Sequence, residues 1–122
     1  MPKNTTEDHG RRAYLVDPTS KIISQVYIKD YKDIQNHIGC EMFTTGFRLE
    51  NGDVLYVDDM GLIDGKKKDF FAVLEDEDSY TLCNPLAGRG LLVGSNAQGG
   101  DEDVRTNILD LALMVKFAEE ST

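Results

Sequence analysis

The sequence predicts an α+β fold with a mostly antiparallel sheet, in the order β-β-α-β-β-β-β-α and with its helices packed on one face. Three observations carry this. Apolar residues alternate with polar ones in 21–29 and 43–57, and both stretches adjoin strong turn chemistry. Helical spacing is confined to 30–39 and to the C-terminal 101–120. The regular alternation of strand and helix that marks a parallel sheet is missing.

The elements follow in order. Arg11 to Asp17 is a short strand with an apolar centre, ended by Asp17-Pro18-Thr19-Ser20, where proline presets φ for a turn. Lys21 to Lys29 returns from that turn as the second arm of a hairpin. Ile22, Val26 and Ile28 are expected to face the core, with Ile23 and Tyr27 outward or at a rim. Asp30 then offers a helix N-cap, with Asp33 three places on. Tyr31, Ile34, His37 and Ile38 recur at helical spacing, and Gly39 supplies the stop. His37, beside that apolar face, reads as a packed or half-exposed residue.

Phe43 to Leu49 and Val54 to Val57 form a hairpin about Glu50-Asn51-Gly52-Asp53, since Asn-Gly between alternating runs is a strong hairpin signal. Phe70 to Leu74 is a buried strand or a short helix; five residues do not separate the two. A hairpin across the acidic Glu75–Asp78 turn to Tyr80–Cys83 is favoured. Leu91-Leu92-Val93 is a buried strand, and Ser95 to Gly100 a connector. Asp101 to Glu120 is expected to be one long helix. Its acidic start suits the positive end of a helix dipole, and Val104, Ile108, Leu111, Val115 and Ala118 mark one face. Leu109, Leu113, Met114 and Phe117 widen the apolar surface, which makes them the candidate interaction surface.

The chain has 122 residues, which suits one domain over 11–120 behind a disordered N-terminal arm, 1–10. That arm is polar and has no apolar core of a signal peptide, and no apolar run reaches a membrane span. A cytoplasmic protein is the expectation. The net charge of −9 argues against non-specific binding to nucleic acid or to anionic membranes. Two cysteines, Cys40 and Cys83, without a zinc-ligand pattern, read as reduced residues of the core. No cofactor is implied.

The most distinctive peptide is Asn84 to Gly94, with Gly88-Arg89-Gly90 at its centre. Amide groups around the two glycines form an anion-binding concavity in one reading, with the Arg89 guanidinium as a phosphate fork. Tyr56 and Tyr80 would then stack on a nucleotide base. The peptide lacks the lysine and hydroxyl of a P-loop, and its spacing is not GxGxxG. The plainer reading is a tight turn into a buried strand, with glycines chosen for positive φ. Asp58-Asp59, with Asp53 and Asp64 nearby, raise a metal site and hence a metal-dependent hydrolase; solvated turn acids are the plainer reading. The Lys66–Lys68 cluster reads as a solvated turn. No nucleophile motif or triad inventory is present.

Four blocks, Ala13–Pro18, Tyr31–Cys40, Asn51–Leu62 and Asn84–Gly94, occur in an order that resembles a domain-of-unknown-function family (number three-eight-four-six) of phages, plasmids and their bacterial hosts. The resemblance spans roughly residues 12–95. It implies an accessory protein of a mobile element and carries no catalytic residues with it. The leading functional expectation is a non-catalytic protein-interaction module that binds a host protein or itself, a homodimer included. A small-anion or nucleotide binder is second, and a metal-dependent hydrolase, on the acids above, is last.

Overall fold

A computed structural model describes residues 10–59, 69–74, 86–95 and 101–117. It is an α+β fold dominated by antiparallel sheet. The elements are β1 (Arg11–Asp17), β2 (Ile22–Ile28), α1 (Tyr31–Ile38), β3 (Phe43–Arg48), β4 (Val54–Asp58), β5 (Phe70–Val73), β6 (Leu86–Ala87), β7 (Gly90–Ser95), β8 (Asp101–Glu102), α2 (Ile108–Met114) and β9 (Val115–Phe117). The main sheet runs β2-β1-β7-β4-β3, with β8 added beside β7; β6-β5-β9 form a second, smaller sheet.

The first hairpin forms as the turn chemistry dictates. Seven residues of β1 pair in unbroken register with β2, from Arg11 opposite Ile28 to Asp17 opposite Ile22. The Asp17 carboxylate accepts from the Thr19 amide at 3.0 Å, and Lys21 N–H donates to the Asp17 carbonyl at 2.7 Å. Ile28 is buried and Val26 partly so, as expected. Ile22 is not: it is 57% exposed, while Ile23 on the other face packs against the core. β2 is the sheet margin, so its far end lies beyond the helix that would cover Ile22.

α1 begins where Asp30 accepts from the amides of Lys32 and Asp33, and ends at Gly39 in the left-handed region (φ 83°). Ile34 and Ile38 point into the sheet, whereas Tyr31 stays exposed. The second hairpin turns by three residues, Glu50-Asn51-Gly52. Only Gly52 takes positive φ (100°), with Leu49 N–H bonded to the Asp53 carbonyl at 2.9 Å and Gly52 N–H to the Leu49 carbonyl at 3.0 Å. A two-residue turn would need positive φ at Asn51 as well.

β7 is buried through Gly94 and lies between β1 and β4. Its alternation divides the core. Leu91 and Val93 join Ala13, Ile28 and Val54 beneath α1. Leu92 joins Tyr14, Val16, Leu55 and Val57 on the other face, against Phe71, Val104, Leu111 and Val115. The helices therefore pack on opposite faces, not on one, because the β5–β6–β9 layer and α2 occupy the face that α1 leaves open.

The long terminal helix does not form. Asp101 and Glu102 pair with β7, residues 103–107 run as a strap, and α2 is confined to Ile108–Met114. Asn107 is the true N-cap, accepting from the Leu109 amide at 2.8 Å. Val115 turns to extended backbone, and Val115–Phe117 pair with β5. Strand-favouring Val and Phe meet an open sheet edge there, and pairing outweighs helix propensity. The side-chain burial expected of the helix survives in part: Ile108 packs only partly buried against the core, and Ala118 lies outside the described residues. Val104, Leu111 and Val115 are all buried, but two of them from non-helical backbone. β5 is a strand and pairs with β6 and β9; the expected return strand Tyr80–Cys83, the acidic turn, the lysine cluster and most of the N-terminal arm lie outside the described residues.

Candidate functional site

The glycine turn opens on a cleft of about 410 Å³, lined by Thr19, Ile38, Gly39, Asp58, Asp69, Gly88 and Arg89. Antiparallel pairing places these residues together. β1 and β4 end where β7 begins, and the C-terminus of α1 closes the same rim.

Each residue of the turn has a local cause. Gly88 sits at φ 79° and its N–H donates to the Asp69 carbonyl at 2.9 Å. Gly90 is glycine for a different reason than positive φ: a Cβ there would lie 2.7 Å from Cζ of the buried Phe71. The Gly88 amide is committed to a backbone carbonyl. The Arg89 Nε lies 3.7 Å from the Asp17 carboxylate, and Nη1 donates to the His37 carbonyl at 3.4 Å. Arg89 thus ties the β6–β7 link to the first hairpin turn and to the carbonyl end of α1, where a cation opposes the helix dipole. That accounts for a guanidinium that a tight turn alone does not require.

The electrostatics of the cleft oppose a free phosphate. Arg89 faces Asp17, while Asp58 and Asp69 stand on the same walls and the helix terminus adds partial negative charge. Tyr56 lies away from the cleft lining and packs edge-on against Phe43, with ring centroids 4.9 Å apart. Tyr80 is outside the described residues.

Asp53 is the buried acid that sequence reasoning placed wrongly. It is 0% exposed, and its carboxylate accepts from Arg105 N at 3.0 and 3.1 Å, from Thr106 N at 2.8 Å and from Thr106 Oγ1 at 2.6 Å. The Arg105 guanidinium is 3.7 Å away. Asn51 completes the cluster, accepting from Asp53 N at 2.9 Å and donating to Thr106 Oγ1 at 3.0 Å. These donors fill the carboxylate. Asp58 lies at the opposite end of β4, on the order of 16 Å along an extended strand. Asp53 and Asp58 therefore do not converge, Asp59 is exposed, and Asp64 is outside the described residues. Among the described residues no group of three or more His, Cys, Asp or Glu could hold a metal. The signal available in the sequence was Asn-x-Asp in a hairpin turn, a pattern suited to capturing backbone amides.

The candidate interaction surface divides. Leu109 and Leu113, one helical turn apart on α2, are 71% and 74% exposed. Met114 and Phe117 instead pack partly buried against the core. The seven-residue length of α2 decides this. Ile108, Leu111 and Met114 use its inner side, and Leu109 and Leu113 are left on the outer one.

Compared with models of protein families, with curated proteins and with solved structures, the chain matches none. Among the described residues, no helix is long and apolar enough to cross a membrane.

Proposed function

We propose that this chain is a non-catalytic protein-interaction module that makes contact through the outer side of α2. The supporting observation is the exposed Leu109–Leu113 pair on a helix whose inner side is already committed to the core. Large apolar side chains adjacent on a regular element favour a protein contact over solvent. The mobile-element accessory role is part of the same proposal, supported by the order of blocks that resembles the phage and plasmid family; a cytoplasmic site of action goes with it.

A photo-crosslinking residue at 109 or 113, introduced into cells of the source organism, is expected to trap a discrete protein adduct. The same residue at exposed Thr45 on β3 is expected to trap none. Equal adducts from both positions, or none from either, would overturn the reading. In parallel, Leu109→Ser with Leu113→Ser should abolish the adducts formed from Ala112 and leave stability within about 0.5 kcal/mol. Leu111→Ala, which empties a core position, should cost about 2–4 kcal/mol.

The nucleotide-like anion reading, built on the Gly88-Arg89-Gly90 turn with Tyr56 and Tyr80, is tested at Arg89. Arg89→Ala is expected to lower stability by about 0–1 kcal/mol, as for an exposed ion pair. Neither inorganic phosphate nor a nucleoside triphosphate should raise the melting temperature of the parent chain. A phosphate-induced rise that Arg89→Ala removes would reverse the ranking of the two readings.

A further inference from the structure

We propose that the occupant of the outer side of α2 is a basic amphipathic segment of another protein, which lays apolar side chains on Leu109 and Leu113 and sets a lysine or arginine against Asp110. The inference rests on the interaction reading above and names the chemistry of its partner. Three observations carry it.

First, the outer side of α2 has a definite order. Leu109 and Leu113 are i,i+4 neighbours, Ala112 is i,i+3 from Leu109, and Asp110 is i,i+3 from Leu113. All four are exposed. Across the helix the band therefore reads alanine, two leucines, aspartate. The leucines form one ridge of the kind that seats between the side chains of a second helix. Alanine lets the partner approach closely on one side, and aspartate offers charge on the other.

Second, the charge on this side is unspent. Asp110 is the one charged residue of α2, and the last turn holds no base. Its carboxylate pairs with none of the described residues. From residue 101 onward the acids are Asp101, Glu102, Asp103, Asp110, Glu119 and Glu120, and the bases are Arg105 and Lys116. Arg105 is already engaged. Its guanidinium donates to Glu102 at 2.9 Å and to the Ser95 carbonyl at 2.7 Å, and lies 3.7 Å from Asp53. Lys116 is the single base of this segment left to oppose its acids. An approaching cation is favoured here, and an anion is opposed.

Third, the same charge separates this occupant from a second copy of the chain. Two leucines cover far less than the roughly 800 Å² per partner that stable association uses. Attraction at the rim must therefore raise the encounter rate and hold the register. A copy brings another net charge of −9, and its α2 has no base to meet Asp110. A partner with lysine or arginine beside its apolar residues supplies both parts.

A short synthetic amphipathic helix, with leucines at i and i+4 and lysines on its flanks, is the probe. A twin carries glutamate for lysine, and a third peptide has the residues of the lysine probe scrambled. On the full chain the lysine probe is expected to bind with Kd below about 100 µM and to weaken as salt rises. The other two should bind about tenfold more weakly or worse. Leu109→Ser with Leu113→Ser should cost the lysine probe about tenfold. Asp110→Lys should cost it about fivefold and strengthen the glutamate twin. Glu41→Lys, exposed between α1 and β3, makes the same change in net charge and should move either peptide by less than about twofold. All these positions are exposed, so each variant should keep the far-UV spectrum of the parent. In cells, a crosslinker at residue 113 should trap a segment with apolar residues set among lysines or arginines.

A lysine probe that fails to bind at about 100 µM, equal binding of the three peptides, or an equal effect of Glu41→Lys and Asp110→Lys would each overturn the proposal. So would an adduct of residue 113 with a second copy of the chain. An adduct at 113 to an acidic segment, with no preference for the lysine probe, sinks the basic partner and leaves the interaction reading standing. No adduct and no binding sinks both.

Discussion

Asp53→Ala is expected to cost about 3–5 kcal/mol, the range for removing one partner of a buried charged network. The carboxylate is fully buried and is the acceptor for Arg105 N, Thr106 N and Thr106 Oγ1. Alanine leaves all three donors facing a void. Against a total stability of about 5–15 kcal/mol, typical for one domain, such a loss would populate the unfolded state visibly. Asp53→Asn should fall between, because it keeps one acceptor oxygen but turns an NH₂ toward N–H donors. Thr106→Ser retains the bridging hydroxyl and should cost little, while Thr106→Val should cost about 1–2 kcal/mol. Urea midpoints read the series. An Asp53→Ala chain within about 1 kcal/mol of the parent would show that water or a shifted turn replaces the carboxylate.

Gly94→Ala is expected to cost about 3 kcal/mol from the other side of the same strap. A methyl group there would sit inside van der Waals contact of the Asp103 carbonyl oxygen and 2.7 Å from the Glu102 carbonyl oxygen. Both obstacles are backbone, so no rotamer change relieves them. β7 lies between β1 and β4 and cannot yield; residues 101–103 must. Their retreat breaks the Gly94–Glu102 pairing and strains the bonds of Arg12 to Asp103 and Val104, at 2.9 and 2.7 Å. Gly39→Ala is the control. It meets nothing within 4 Å but holds φ 83°, so about 1–2 kcal/mol is expected. Because Asp53→Ala and Gly94→Ala both release residues 101–106, the double variant should lose less than the sum of the two. Strict additivity would show that the ends of the strap are independent.

Several elements were legible because their causes are local. Asp17-Pro18 and Asn51-Gly52 specify turns within a few residues, Asp30 and Gly39 bracket α1 by capping chemistry, and unbroken apolar character marks β7 as buried. Gly88 too was readable as a positive-φ turn. What failed depended on remote partners. Residues 101–107 have helical periodicity, yet their backbone is claimed by β7, Arg12 and Asp53, far away in the chain. Gly90 is explained by the Phe71 ring and Arg89 by Asp17, neither adjacent in sequence.

The candidate surfaces divide the same way. That Leu109 and Leu113 lie one turn apart on a helix follows from spacing alone. That they are bare while Met114 and Phe117 are partly covered follows from where β9 begins and which layer receives it. By itself the sequence determined the antiparallel α+β class, the first five elements in order and the apolar residues of β7, because turn, cap and periodicity signals act over one to four residues. Only the tertiary structure decided the length of α2, the placement of the helices on opposite faces and the conversion of Asp53 from a candidate ligand into a buried fastener. Backbone hydrogen bonds and buried contacts between distant segments, once formed, outweigh local propensities worth under about 1 kcal/mol per residue.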